Sequence, residues 1–330
     1  MQYVRLGRTG LKVSRLCLGT ATFGFQCDEP TSHAILDHAF DHGVTFVDTA
    51  DKYPLGGTLA TNGQTEEILG RWLKGRREQV IVATKVHGRM GSSAWDEGNS
   101  RKHILDSVEG SLRRLGVDYI DLYQLHRPDR QTPIEETLSA LDDLVRAGKV
   151  RYIGCSNFLA YQVALALGCS EARRYASFVS VQPCYNLIFR QYERELLPLA
   201  REEGLAVLPY NVLAGGLLSG KHHASETPQP GTRFTLGSAA QIYQNRYWHE
   251  RSFAISSAVG DIARQESLSP ASLAVAWVLA NPAITSPIVG ASRPDQLTDT
   301  LAAATIELAP EVVARLNHLT HEFRYGDASE

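Results

Sequence analysis

Four ionisable residues stand at or just past the ends of short apolar runs: Asp48 and Tyr53 in VTFVDTADKY, Lys85 in VIVATKV and His126 in YIDLYQLH. A carboxylate, a phenol, an amine and an imidazole together form a proton-transfer set. Taken singly, each has an ordinary explanation: an Asp there turns a loop, a Tyr packs, a Lys or His is solvated. Converging on three strand ends far apart in sequence, they point to one site assembled from several strands. A phenol has a pKa of about 10 and donates well near neutrality only if that value falls. The Lys85 ammonium is expected to lower it by stabilising the phenolate, with Asp48 holding Lys85 charged and in place. His126 is expected to orient the same substrate oxygen. The chemistry implied is protonation of an oxygen while something else adds to its carbon, which fits carbonyl reduction.

The elements that must position this set alternate short β-branched runs with longer amphipathic stretches, the pattern of a parallel sheet with crossover helices. Strands are expected to begin near Leu16, Val44, Val80, Tyr119, Val150, Phe178, Leu205 and Ile284. Helical patterns such as RKHILDSVEGSLRRLG, PIEETLSALDDLVRAGK and ERELLPLAREEG lie between them, closed by Gly116, Gly148 and Gly204. Thr132 is expected to cap a helix that starts with Pro133. Eight strands predict an α/β fold with a single (β/α)8 barrel over residues 1–330, its site on the C-terminal rim. Two long loops leave that rim, about 87–99 and 221–250, and read as lids over a ligand.

Other function classes find little support. A net charge of −3 and a pI near 6.4 give no reason to expect nucleic acid or an acidic membrane surface. No apolar run reaches the roughly 20 residues of a membrane-spanning helix. The start MQYVRLGRTG lacks an apolar signal core, and five scattered cysteines read as buried thiols in a reducing compartment. The expectation is a cytoplasmic protein. GGLLSGKH resembles a phosphate-binding loop but has His222 where a Ser or Thr should hold magnesium. His38 and His42 share a helix face without a third metal ligand, and His222 with His223 reads as an exposed loop pair, so no metal is expected. Neither a G-x-S-x-G nor a G-x-G-x-x-G motif is present.

DTADKY, ATK and LH, carrying Asp48, Tyr53, Lys85 and His126, resemble the catalytic tetrad of the aldo-keto reductases. The resemblance covers nearly the whole chain, through RLGRTGLKVSRLCLGTATFG, TEEILGRWLKG, GKVRYIGCSNF, LPYNVLAGGLLSGK and SPIVGASRPDQL. It implies NADP(H) lying across the barrel mouth and a small-molecule carbonyl as substrate. It assigns Ser156, Asn157 and Gln182 to the nicotinamide carboxamide and Tyr210 to stacking on the ring. Leu217 and Lys221 line the pyrophosphate path. Arg293 pairs with the 2′-phosphate and Gln296 contacts the adenosine. Asn211, Leu213, Gly216, Gly290 and Ser292 complete the cofactor residues. Thr300 stands where many relatives have asparagine, and Asn211 where serine is commoner.

For the substrate, Phe23, Phe25, Trp95, Tyr243 and Trp248 suggest an apolar pocket suited to aromatic or medium-sized aldehydes and ketones. Arg127 and Arg130 either admit an anionic substrate or are surface charges. Two further readings stay open: a reductase of nucleotide-linked deoxysugars, and a cofactor-sensing regulatory subunit on the same scaffold. Oligomeric state is not readable.

Overall fold

A computed structural model describes residues 1–325. Eight parallel strands form one sheet: β3 (Cys17–Gly19), β4 (Phe46–Asp48), β5 (Ile81–Val86), β6 (Ile120–Leu125), β7 (Val150–Ser156), β8 (Phe178–Gln182), β9 (Ala206–Val207) and β10 (Ile288–Val289). Neighbours run in chain order, with β10 beside β3. The remaining gap is bridged by backbone bonds: Thr285 N–H donates to the Val207 carbonyl (2.9 Å) and Ile288 N–H to that of Pro209 (2.7 Å). Helices fill the crossovers: α1 (Glu29–Asp41), α2 (Gln64–Leu73), α3 (Arg101–Leu115), α4 (Ile134–Arg146), α5 (Ala160–Arg173), α6 (Leu196–Glu202), α7 (Ala240–Tyr247), α8 (Glu250–Gln265), α9 (Pro270–Ala280), α10 (Leu297–Ala302) and α11 (Pro310–Leu319). This is the expected (β/α)8 arrangement.

Strand starts fall within two residues of expectation except the last. The segment from Ile284 first bonds β9 through Thr285, and Pro287 has no N–H to give. The ladder with β3 therefore begins only at Ile288. Positive φ at Gly116, Gly148 and Gly204 ends the helices as expected. The cap at Thr132 is a correction: Pro133 occupies the cap position of α4. The Thr132 hydroxyl instead donates to Asp129 (2.7 Å), which the turn places closer than the helix N–H groups.

A hairpin that the sequence reading missed, β1 (Tyr3–Arg5) with β2 (Lys12–Ser14), closes the N-terminal end of the barrel. Its Leu6 and Val13 join Cys17, Phe46, Ala83, Leu122, Ala206, Leu208 and Ile288 in a cluster filling the barrel interior. The period of two along a strand puts every second residue inside. Two positions above Phe46, Ala83 and Leu122 the inward residues are Asp48, Lys85 and Gln124, so a polar layer rests on an apolar floor. The outward faces pack against the helices in a larger core that includes Val47, Val82 and Tyr123.

Candidate active site

The polar layer at the strand ends is the candidate site. Asp48 and Lys85 are both buried, and Nζ pairs with Asp48 Oδ1 while donating to the Thr49 carbonyl (2.8 Å). Nζ lies 5.1 Å from the centre of the Tyr53 ring, and the Tyr53 and His126 rings meet edge to face at 5.7 Å. The tetrad is therefore one cluster. Tyr53 is carried by the turn after β4, where its carbonyl accepts from Gly63 N–H (3.0 Å). His126 follows β6 and donates its backbone N–H to Val86 (2.8 Å).

A residue not anticipated from sequence completes the cluster. Gln124 donates through Nε2 to Asp48 Oδ2 (3.1 Å), and Gln182 donates to the same oxygen (2.9 Å) and to Gln124 Oε1 (3.2 Å). Both amides are buried. The available signal was an amide two positions from Leu122, hence on the inward side of β6. Gly154 on β7 leaves room for Ser180 of β8: a Cβ there would sit 2.2 Å from Ser180 Oγ and 3.0 Å from its carbonyl oxygen, with Gln124 Cγ in ordinary contact at 3.5 Å.

Electrostatics correct one expectation. The Tyr53 phenol is raised, not lowered: burial outweighs the nearby Lys85 charge, which acts in the expected direction. Burial also works against the Lys85 ammonium, but the Asp48 charge and hydrogen bond prevail and hold it above its ordinary value. His126 is pushed well down by burial and then by Lys85, Lys52 and Arg127, so the ring is neutral at pH 7. Its Nδ1 is buried without a partner.

The residues assigned to a cofactor border this cluster. Ser156 Oγ donates to the Gln182 carbonyl (2.7 Å), and Asn157 donates to Ser156 Oγ (3.0 Å) and the His126 carbonyl (2.9 Å). Tyr210 OH donates to Asn157 Oδ1 (2.8 Å). Asn211 uses both ends of its amide within the protein, accepting from Gly215 N–H (2.8 Å) and donating to Tyr247 OH (2.9 Å). Leu213 and Gly216 are half-buried, whereas the Leu217 side chain is wholly buried and can offer only its backbone. Gly290 and Lys221 are exposed. Gln296 Oε1 accepts from Ser292 N–H (2.9 Å) and Oγ (3.1 Å), and exposed Arg293 pairs with Asp295 (3.2 Å). Thr300 is buried and its hydroxyl donates to the Leu297 carbonyl (3.0 Å), so its side chain is engaged within the protein. Arg233, also missed from sequence, acts electrostatically on Lys221 together with Arg293, and its Nη1 is buried without a partner.

Two of the five aromatic pocket candidates turn inward. Phe23 is fully buried in the core, and half-buried Trp248 packs among Phe234 (4.6 Å), Phe253 (4.9 Å) and His222 (5.5 Å). Their apolar area is better satisfied against neighbours than against solvent. His222 is likewise buried, correcting its reading as exposed; burial pushes it down to about 4. Phe25 and Trp95 are exposed, and Tyr243 alone is felt electrostatically at Tyr53. The lid over residues 221–250 is clasped to the rim, with Gln26 Nε2 donating to the Gly231 carbonyl and Ser238 N–H to Gly56 (3.4 Å). His42 Nδ1 bonds the His38 carbonyl (2.7 Å), and among the described residues no three ligand side chains gather. No helix among the described residues is long and apolar enough to cross a membrane.

Comparison with known proteins bears on the family. Residues 15–321 match the Aldo/keto reductase family. The oxidoreductase YrpG of Bacillus subtilis is 42% identical, covering 97% of this chain and 96% of its own. A probable voltage-gated potassium channel subunit beta of Arabidopsis thaliana is 36% identical (93% and 92%). The versiconal hemiacetal acetate reductase of Aspergillus parasiticus is 32% identical (96% of each chain).

Proposed function

The chain belongs to the aldo/keto reductase family, and from that premise we propose that it reduces an aldehyde or ketone to an alcohol with NADPH, Tyr53 serving as general acid. The observation that carries the reading is the buried Asp48–Lys85 pair set beneath Tyr53 and beside a neutral His126. Bound NADPH supplies the hydride that adds to the carbonyl carbon. The protein's part is proton delivery and orientation.

With its pKa raised, Tyr53 keeps its proton until the carbonyl oxygen becomes basic enough to take it. The phenolate then left behind is stabilised by Lys85, and solvent restores the proton. Asp48 fixes Lys85, while Gln124 and Gln182 fix Asp48. A neutral His126 has one N–H, enough to donate a hydrogen bond to the carbonyl oxygen without competing for the transferred proton.

The residues present fit the cofactor. Lys221, Arg233 and Arg293 form a basic set of which only Arg293 has an acidic partner within 4.0 Å among the described residues, as phosphates require. Tyr210 is the aromatic available for the nicotinamide, Gln182 and Asn157 the amides for its carboxamide, and Ser292 with Gln296 the polar groups for the adenosine end. Five unpaired thiols suit a reducing cytoplasm.

Purified protein should bind NADPH, seen by fluorescence, and oxidise it with some member of an aldehyde and ketone panel. Arg293→Ala should weaken NADPH binding much more than NADH, since only NADPH carries the 2′-phosphate. Equal weakening removes that assignment. Tight binding without turnover would favour the alternative, a cofactor-sensing role, to which the likeness to a channel subunit lends weight.

A further inference from the structure

We propose that the carbonyl substrate carries an anionic group, a carboxylate or a phosphate, bound by Lys52 and Arg127 on either side of the proton-transfer cluster. This inference rests on the reductase reading and adds the substrate class to it.

Placement comes first. Lys52 immediately precedes the proton donor Tyr53, and Arg127 immediately follows His126. Both charges act on the His126 ring, and Lys52 feels the Arg127 charge. The Lys52 stem lies across Gly88, where an added Cβ would meet Lys52 Cδ at 2.6 Å, so the side chain is held over the loop that leaves β5. The Arg127 carbonyl is fixed by Asn99 Nδ2 (2.9 Å). His87, a non-glycine residue at φ 148 at the start of the loop after β5, feels both charges, and its carbonyl accepts from Gly98 N–H (2.9 Å). Backbone strain of this kind persists where the surroundings enforce it and concentrates at ligand sites.

The charge is uncompensated. Among the described residues neither Lys52 nor Arg127 has an acidic side chain within 4.0 Å. The two carboxylates that influence this corner are engaged elsewhere. Asp129 accepts from Asn99 N–H (2.9 Å), Gln131 N–H (2.9 Å) and Thr132 Oγ1 (2.7 Å). Asp51 is fully buried and accepts from the Lys52 backbone N–H (2.6 Å). Lys52 is half-buried, and burial followed by repulsion from Arg127 lowers its pKa. A half-buried cation repelled by a second one, here the exposed Arg127, is unfavourable until an anion arrives. His87 is also lowered by burial, so it can contribute a neutral hydrogen bond. Phe23, fully buried, offers no wall to a substrate, and the charges that bear on His126 include those of Lys52 and Arg127.

The test compares aldehydes matched except for charge: 4-formylbenzoate against its methyl ester, and glyceraldehyde 3-phosphate against glyceraldehyde. NADPH oxidation is followed for the wild type, Lys52→Gln, Arg127→Gln and Lys52→Arg. The wild type should prefer one anionic member of a pair in kcat/KM, and the preferred pair tells carboxylate from phosphate. Each Gln variant should lose about ten- to a hundred-fold of that preference. Lys52→Arg should keep most of it, and added salt should narrow it. Equal losses on charged and neutral members, or a wild-type preference for the neutral ones, overturns the proposal. If no aldehyde turns over, the reductase reading has failed. The subsite is then judged by calorimetry of benzoate and inorganic phosphate with the NADP+-loaded protein. Binding lost in the Gln variants supports it, and no binding to the wild type overturns it.

Discussion

Asp48 illustrates how one residue is fixed for its role: Oδ1 takes Lys85, and Oδ2 takes two amide donors from β6 and β8. Each contact limits a different freedom, so the ammonium beneath Tyr53 has one position. Tyr53→Phe removes the transferable proton but keeps the ring. Turnover should fall by about 10²–10⁴-fold while the NADPH dissociation constant stays within about two-fold, measured by single-turnover kinetics and fluorescence titration. Gln124 acts through Asp48 and not on substrate. Gln124→Leu should lower kcat by about ten-fold and stability by roughly 1–3 kcal/mol, because Asp48 and Gln182 each lose a buried partner. A filler of space alone would move the denaturation midpoint and leave kcat where it was, so the two measurements together decide.

At the level of elements, β4, β5 and β6 each supply one inward polar residue above one inward apolar residue, and the N-terminal hairpin supports that floor from below. Gly7 is the tightest point of the plug. It has φ 57, and a Cβ would stand 2.6 Å from the Gly204 carbonyl oxygen and 2.8 Å from Ala206 N. Backbone atoms of two elements would have to separate, so Gly7→Ala should destabilise by about 1–3 kcal/mol in urea unfolding. Gly10→Ala in the same turn, with nothing within 4 Å, is the control and should leave the midpoint nearly unchanged. The hairpin was hard to read because YVR and KVS are each three residues long, too short for an alternation to register. Helices with terminal glycines, such as α3, were plain.

Across the whole molecule, a buried polar network joins the sheet to its outer helices. Glu66 on α2 accepts from Thr84 of β5 (2.6 Å) and from Arg114 of α3 (2.8 Å). Asp51 lies close enough to feel both charges. Burial, with Glu66 adding to it, pushes the Asp51 carboxyl up to about 8. A folded-state pKa above the unfolded value means that the native protein holds a proton that the unfolded chain releases. That contribution is complete below about pH 4 and is lost as pH rises through about 8. Asp51→Asn, which cannot ionise, should therefore gain stability relative to wild type between pH 5 and 8. The slope can reach about 1.4 kcal/mol per pH unit and should flatten above the native pKa. Urea unfolding of both proteins at a series of pH values measures this; parallel curves would show that Asp51 does not hold the proton.

The sequence by itself determined the repeating strand–helix order, the single barrel and the positions of Asp48, Tyr53, Lys85 and His126. Those depend on local periodicity and on residues standing at strand ends, and both survive in one dimension. Tertiary structure alone decided how these groups are tuned. Gln124 meets Asp48 only because β4 and β6 flank β5 with their inward faces in register. The Tyr53 phenol rises because desolvation depends on everything packed around it, and no spacing in the chain encodes that balance. Phe23 went to the core, and Trp248 packed against it, for a similar reason: an aromatic in a loop has no period to show which way it faces. Arg127 was open between an anionic substrate and a surface charge, and Lys52 and His87 carried no signal of their own; their charges and burial matter only because three strand ends bring them to bear on one imidazole.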